Sequence, residues 1–139
     1  MKPITKYAIL AAILFSGVAA ATRTAAAAPA HHGFAVFDTS AQKTITGIVR
    51  EFQWTNPHTW VWLDVPNGKG GSDTYGFEGM SPNYLERRGW TRKTLKPGDT
   101  ITVTYFPLKT GAHGGSFLIG KRPNGEELRM FINSPTEDH

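Results

Sequence analysis

Short runs of Thr, Val, Ile and aromatic residues alternate along the chain with turns rich in Gly, Pro and Asn. Such runs are typical of β-strands, whose successive side chains point to opposite faces. The pattern predicts strands at 44–54, 59–65, around Tyr75 and Phe77, at 100–106 and at 116–121, and a hairpin at Asn124-Gly125 that leads through Leu128 to Ile132. Gly47 is expected to bend or bulge the first strand.

The second predicted strand, 59–65, has two chemically different faces. Alternation places the apolar residues Val61, Leu63 and Val65 on one face, and Trp60, Trp62 and Asp64 on the other. We therefore expect the first face to pack in the core and the second to present two indole rings.

One segment, SPNYLERRGW, interrupts the β pattern at residues 81–90. Ser81 suits an N-cap, Pro82 suits the first helical position, and Gly89 suits a left-handed stop. These signals predict one short helix between the third and fourth strands. A mostly β chain with a helix in that place predicts a small, mostly antiparallel OB-like barrel, with a six-stranded sandwich as the alternative.

The N-terminus has the order of a secretory signal peptide. Lys2 and Lys6 precede an apolar run at 7–21, and small residues then lead to Ala28-Pro29-Ala30. Cleavage after Ala30 predicts a signal peptide at 1–30 and one mature domain at 31–139, in the periplasm or secreted, without a stable membrane anchor. Cleavage after Ala20 and a retained membrane anchor are the alternatives.

Export changes the charge of the chain. The full sequence has 15 Lys and Arg against 11 Asp and Glu, and removal of the three basic residues before position 31 leaves 12 − 11 = +1. We therefore do not expect the mature domain to bind nucleic acid. The absence of cysteine excludes disulfides, thiol nucleophiles and thiolate metal sites.

Several stretches together resemble a known family. The residues AHHGFAVFD, WTNPHTWVWLDV, SPNYLERRGWTRKTLKPGD and the final NGEEL are similar to DUF6152, a family of small exported bacterial proteins of unknown function. The likeness covers nearly all of the predicted mature chain. It implies export and a compact β fold, and it implies no reaction.

Histidines are the candidate metal ligands. If His31 is the mature N-terminus, its α-amine and ring nitrogen can hold one ion, with His32 or His58 as the third nitrogen and water or Asp38 in a remaining place. Three nitrogens suit Cu(II) better than Zn(II). His58 and His113 lie in the two loops that flank the usual ligand face of an OB-like barrel, so we expect them near one rim. The alternative is a polar leader and two loop histidines.

Other residues are candidates for an organic ligand. Trp54, Trp60 and Trp62 could line a binding face with Tyr75, and Arg87 with Arg88 could grip a carboxylate or phosphate. Core packing explains the aromatic residues equally well, and the helix dipole explains the arginines.

Two classes of function remain open. The first is an exported binding or accessory module whose ligand is a transition metal or a partner protein. The second is a copper-dependent oxidoreductase that uses His31. Nucleophile-elbow and P-loop patterns do not occur in the chain, so we favour binding over catalysis.

Overall fold

The computed structural model describes residues 34–130, which begin with a 3-10 helix, Phe34–Val36. The remaining elements are β1 Lys43–Gln53, β2 Trp60–Pro66, β3 Ser72–Glu78, α1 Pro82–Glu86, β4 Thr100–Pro107, β5 Gly114–Lys121 and β6 Glu127–Arg129. The predicted strands and the helix between the third and fourth strands are confirmed. The predicted signal peptide at 1–30, the histidines at 31 and 32, and residues 131–139 lie outside the described residues, so the domain boundaries stay predictions.

Strands β1 to β5 close into a barrel. The sheet runs in the order β3-β2-β1-β4-β5-β6, and β3 also pairs with β5. That closing pair is parallel and aligns Phe77 with Gly115, whereas the other strand pairs are antiparallel. This order, with α1 between β3 and β4, is that of an OB-like barrel, so the predicted fold is confirmed over the six-stranded sandwich. The closing pair makes the sheet mixed, and β6 extends it beyond the barrel.

The irregularity in β1 lies beyond Gly47. Gly47 pairs regularly with Ile101, and the register with β2 shifts between Val49 and Glu51. The predicted bulge at Gly47 is therefore wrong in position. Gly47 instead allows β2 to approach closely, because a Cβ there would lie 2.8 Å from the backbone oxygen of Asp64.

The inward side chains of the strands fill the barrel. Val61, Leu63 and Phe77 are completely buried, as the alternation in β2 predicts. The ring of Phe77 meets the ring of Tyr105 edge-on, with 4.8 Å between centroids. Trp90, after α1, meets the ring of Phe117 in the same manner at 6.3 Å. The helix and its following loop thus share one core with the barrel.

The helix α1 begins at the residue that its sequence indicates and ends at Glu86, and a turn then continues to the predicted stop at Gly89. The Ser81 hydroxyl accepts a hydrogen bond from the backbone N–H of Tyr84 at 3.3 Å, and Pro82 is the first helical residue. Gly89 has a φ of +82°, and the next N–H donates to the carbonyl of Leu85 at 3.1 Å. This turn sends the chain back toward the core, so it positions the loop after α1.

Candidate functional site

The turn between β1 and β2 holds His58 in a fixed orientation. The His58 ring nitrogen Nδ1 lies 3.1 Å from the carbonyl oxygen of Gly79 and 3.4 Å from Oε1 of Glu78. The Thr55 hydroxyl donates to the backbone oxygen of His58 at 3.1 Å. The His58 side chain is 39% exposed and that of Glu78 is 27% exposed. When Nδ1 donates to Gly79, the neutral ring carries its lone pair on Nε2.

Gly79 fits against Thr59 and Met130 because it lacks a side chain. Its N–H donates to the backbone oxygen of Thr59 at 2.8 Å, and the Thr59 hydroxyl donates to the carbonyl of Met80 at 2.9 Å. A Cβ at Gly79 would lie 2.5 Å from the Thr59 hydroxyl oxygen and 2.9 Å from Cε of Met130. The residue that accepts from His58 is therefore held by the buried Thr59.

The outer side of β2 forms what we call the tryptophan face, defined by Trp60 and Trp62. The two rings stack with 5.6 Å between centroids and 16° between planes. Trp62 also covers Gly76 of β3, with which it is in register. Both indoles are half-buried, as the alternation in β2 predicts, and the binding role predicted for them stays a prediction.

Trp54 does not belong to the tryptophan face. It is 8% exposed and lies in the main core cluster, and its ring meets Phe52 edge-on with 5.6 Å between centroids. Trp54 therefore packs in the core apart from Trp60 and Trp62, and the ligand-binding role predicted for it stays a prediction. Trp54 follows the last residue of β1, where the strand alternation that separates Trp60 and Trp62 from the core no longer applies.

His58 and His113 have different neighbours on β3. The His113 ring stacks on Tyr75, with 4.4 Å between centroids and 3° between planes. His58 contacts Glu78, three residues further along β3, or about 10 Å at the usual rise of a strand. Tyr75 and Glu78 also point to opposite faces of the strand. The two histidines thus contact different residues of β3 or the segment after it, and the expectation that they lie near one rim stays a prediction.

The remaining predicted metal ligands lie in or before the first described residues. His31 and His32 fall outside the described part of the chain. The Asp38 carboxylate accepts hydrogen bonds from the hydroxyl and the N–H of Ser40 at 2.6 and 3.1 Å, and these bonds hold the pKa of Asp38 below its usual value. Within residues 34–130, His, Asp and Glu side chains do not form a group of three or more that could hold a metal ion.

The two arginines at the end of α1 have different surroundings. Arg87 is the C-cap residue and is exposed. Arg88 is half-buried, its guanidinium carbon lies 3.4 Å from the centroid of the Tyr84 ring, and its Nη1 donates to the Tyr84 carbonyl at 3.0 Å. Of the two predicted candidates, Arg88 is thus the one whose side chain is held in a defined orientation.

Arg88 lines a cleft that the sequence analysis missed. The cleft has a volume of about 630 Å³ and lies between residues 88–94 and the β5–β6 hairpin. Its lining includes Trp90, Lys93, Arg122 and Arg129. These residues come from separate segments that only the closed fold brings together, so their sequence spacing carries no signal for the cleft.

Comparison with known proteins identifies a family. The model of DUF6152, described as a family of unknown function, matches residues 19–117. Neither the curated proteins nor the solved structures compared with the chain include a match. The helices formed by residues 34–130 are all too short or too polar to cross a membrane.

Proposed function

The chain belongs to the DUF6152 family of unknown function, and we propose that it is an exported binding module whose ligand is a transition-metal ion. In this proposal His58 and the N-terminal histidines His31 and His32 supply nitrogen ligands to Cu(II). The protein binds the ion as a carrier or accessory protein and does not catalyse a reaction.

The observation that carries the proposal is the hydrogen bond that orients His58. Metal-binding histidines usually donate one ring N–H to a carbonyl or carboxylate and bind the ion through the other nitrogen. His58 has this arrangement, because its Nδ1 lies 3.1 Å from the carbonyl of Gly79 and 3.4 Å from the carboxylate of Glu78. The Nε2 atom is then the metal ligand, on a ring that is already held in place.

The chain is long enough for His31 to approach His58. Val36 is held beside β4, because the N–H of Lys109 donates to its carbonyl at 3.0 Å. The next residue, Phe37, pairs with Leu108 just after β4, β4 pairs with β5, and β5 pairs with β3. Phe37 and β3 are therefore separated by three strand spacings, about 14 Å in all. The five residues from His31 to Val36 can span about 17 Å when extended.

Export would complete the site. The α-amine of His31 exists only after cleavage behind Ala30, and together with the His31 ring it forms a chelate. A third nitrogen from His58 or His32 gives a set that favours Cu(II) over Zn(II), by geometry and by the order of divalent affinities. Metal capture is thus tied to removal of the signal peptide.

Copper titration of three matched proteins tests the proposal. The first has an authentic His31 terminus, verified by N-terminal sequencing, the second has the same terminus with its α-amine acetylated, and the third carries His58→Ala. We expect the acetylation and His58→Ala each to weaken Cu(II) binding by at least about tenfold, the loss typical when metal-site support is removed. His58→Ala should also change the copper spectrum.

His113→Ala is the matched control, because it removes an imidazole that stacks on Tyr75, away from His58. It should bind Cu(II) as the unmodified protein does. Equal and weak binding by all of these proteins would contradict the proposal and would leave the paired histidines as a polar leader.

A further inference from the structure

We propose that the cleft between residues 88–94 and the β5–β6 hairpin binds a small organic anion, a molecule with an oxyanion group on an apolar body. The cleft volume of about 630 Å³ falls within the range of small-molecule sites, roughly 300–1,000 Å³. The cleft does not include His58, so failure of copper binding would leave this inference standing.

The charge of the cleft favours an anion. Its lining has four cationic side chains, Arg88, Lys93, Arg122 and Arg129, against the two carboxylates of Glu126 and Glu127, which gives 4 − 2 = +2. Both carboxylates already form ion pairs with arginines of the β5–β6 hairpin. Arg122 pairs with Glu126 at 3.0 Å, and Arg129 pairs with Glu127 at 2.8 Å.

Arg122 is held further by contacts outside the hairpin. Its Nη1 lies 3.4 Å from Oδ2 of Asp99, and its Nη2 donates to the backbone carbonyl of Thr94. Arg122 therefore ties the hairpin to the loop after α1 and forms a wall of the cleft. Its charge is compensated by Asp99 and Glu126, so it is not the main attraction for a ligand.

Arg88 and Lys93 remain as the uncompensated cations. No carboxylate among residues 34–130 lies within ion-pairing distance of either side chain. The Nε–H of Arg88 is buried and lacks a hydrogen-bond partner within the same residues. A buried charged donor without an acceptor is unfavourable. Because Nε is closed off, an oxyanion in the cleft would meet the guanidinium at Nη2, and its negative charge would offset the uncompensated positive charge.

The guanidinium of Arg88 is already oriented before a ligand arrives. Its carbon lies 3.4 Å from the centroid of the Tyr84 ring, and Nη1 is occupied by the Tyr84 carbonyl at 3.0 Å. Because Nη1 is occupied and Nε is buried, Nη2 is the nitrogen left for an anion, and the fixed orientation reduces the entropy lost on binding.

Apolar residues favour an organic anion over an inorganic one. Trp90 is 5% exposed and Leu128 is 9% exposed, and both contribute to the lining as well as to the barrel core. The Trp90 indole N–H donates to the backbone oxygen of Arg129 at 3.2 Å, which joins the two sides of the cleft. An apolar body can contact the small parts of these two side chains that reach the cleft surface while its anionic group meets Arg88 and Lys93.

NMR titration of the ¹⁵N-labelled mature protein with four probes tests the proposal. Benzoate and phenyl phosphate carry the anion on an aromatic body, benzamide is the neutral isostere of benzoate, and inorganic phosphate lacks the body. We expect the two aromatic anions to shift the resonances of Gly89, the Trp90 indole and Leu128. Their affinity should be at least tenfold higher than that of benzamide or inorganic phosphate. Comparison of benzoate with phenyl phosphate shows which oxyanion the cleft prefers.

Substitutions in the segment after α1 distinguish binding in the cleft from a general effect of net charge. Arg88→Gln and Lys93→Gln should each weaken the binding of aromatic anions by about tenfold or more, because each removes a charge-assisted hydrogen bond. Arg87→Gln is the matched control, since it removes the same charge from the exposed neighbouring residue, and it should change affinity less than threefold. Lys93 is exposed, so its variant remains informative if Arg88→Gln does not fold.

Two results would overturn the inference. Equal affinity for benzoate and benzamide would mean that the cleft is only an apolar depression. An equal loss of affinity in Arg87→Gln and Arg88→Gln would mean that the probes respond to net charge and do not bind at a built site.

Discussion

The indole of Trp62 lies over Gly76 so closely that a Cβ at residue 76 would be 2.5 Å from Cζ3 of the ring. The same ring stacks on Trp60 with 5.6 Å between centroids. Gly76→Ala therefore has to displace Trp62 and disturb the tryptophan face. We expect a loss of about 1–3 kcal/mol in unfolding free energy, typical of overpacking, and a change in tryptophan fluorescence, measured by urea denaturation and emission spectra.

Gly71→Ala is the control for this substitution. Gly71 lies just before the same strand, and the nearest atom to a Cβ there is a side-chain nitrogen of Asn67 at 3.6 Å, an ordinary contact. This variant should keep the stability and the fluorescence of the unmodified protein. If Gly76→Ala behaves like Gly71→Ala, then Trp62 does not rest on Gly76 in solution.

Closure of the barrel gives a second prediction. Gly115 pairs with Phe77 of β3 on one side and with Pro107 of β4 on the other, and a Cβ on it would overlap the carbonyl oxygen of Phe106. The overlapping atom belongs to the backbone, so it cannot move away as a flexible side chain can. Gly115→Ala should therefore cost about 3 kcal/mol, the upper end of the usual overpacking penalty, or more.

Thermal unfolding followed by circular dichroism measures this loss. For a domain of this size, about 3 kcal/mol corresponds to a fall in Tm of more than about 10 °C. A Tm within about 2 °C of that of the unmodified protein would show that β5 does not close the barrel at Gly115.

The sequence predicted the strands because their signals are local. Val61, Leu63 and Val65 are buried and Trp60 and Trp62 lie outside, as alternation alone requires. The helix was predictable for the same reason, since its cap, its first residue and its stop are adjacent in the chain. Closure of the barrel at Gly115 depends on pairing between β3 and β5, which are distant in sequence. The sequence predicted this closure only indirectly, because its order of strands and helix matches that of an OB-like barrel.

The site was less predictable than the fold. His58 was identified from its turn, but its orienting partner Gly79 is 21 residues away and carries no side chain that could mark it. His113 was predicted near His58 because both lie in loops, and loop membership does not determine that His113 stacks on Tyr75 while His58 contacts Glu78. Arg87 and Arg88 are adjacent in the chain and point to different sides of the turn that ends the helix. Helix ends are defined only to within one or two residues, so the sequence could not indicate which arginine faces the cleft.

Tyr105 supplies a prediction about alkaline pH. Its side chain is buried in the barrel, and this burial, with a smaller contribution from nearby Tyr75, raises the pKa of the Tyr105 phenol above its usual value of 10.0. Below pH 10 the phenol is neutral in both the folded and the unfolded protein. Above pH 10 the unfolded protein releases the Tyr105 proton first, so the unfolded state is favoured as pH rises toward the folded-state pKa. Unfolding free energy should therefore fall more steeply above pH 10 in the unmodified protein than in Tyr105→Phe.

Urea denaturation of both proteins at pH 7 and pH 11 checks this difference. Tyr105→Phe keeps the ring that meets Phe77 at 4.8 Å, so the two proteins differ at pH 7 only by the cost of removing one hydroxyl group. Other tyrosines titrate in both proteins, and their contribution cancels in the comparison. At pH 11 the stability of Tyr105→Phe relative to the unmodified protein should be higher than at pH 7. A relative stability that does not change between the two pH values would mean that Tyr105 ionises as easily in the folded protein as in the unfolded chain, and that the phenol is not buried in solution.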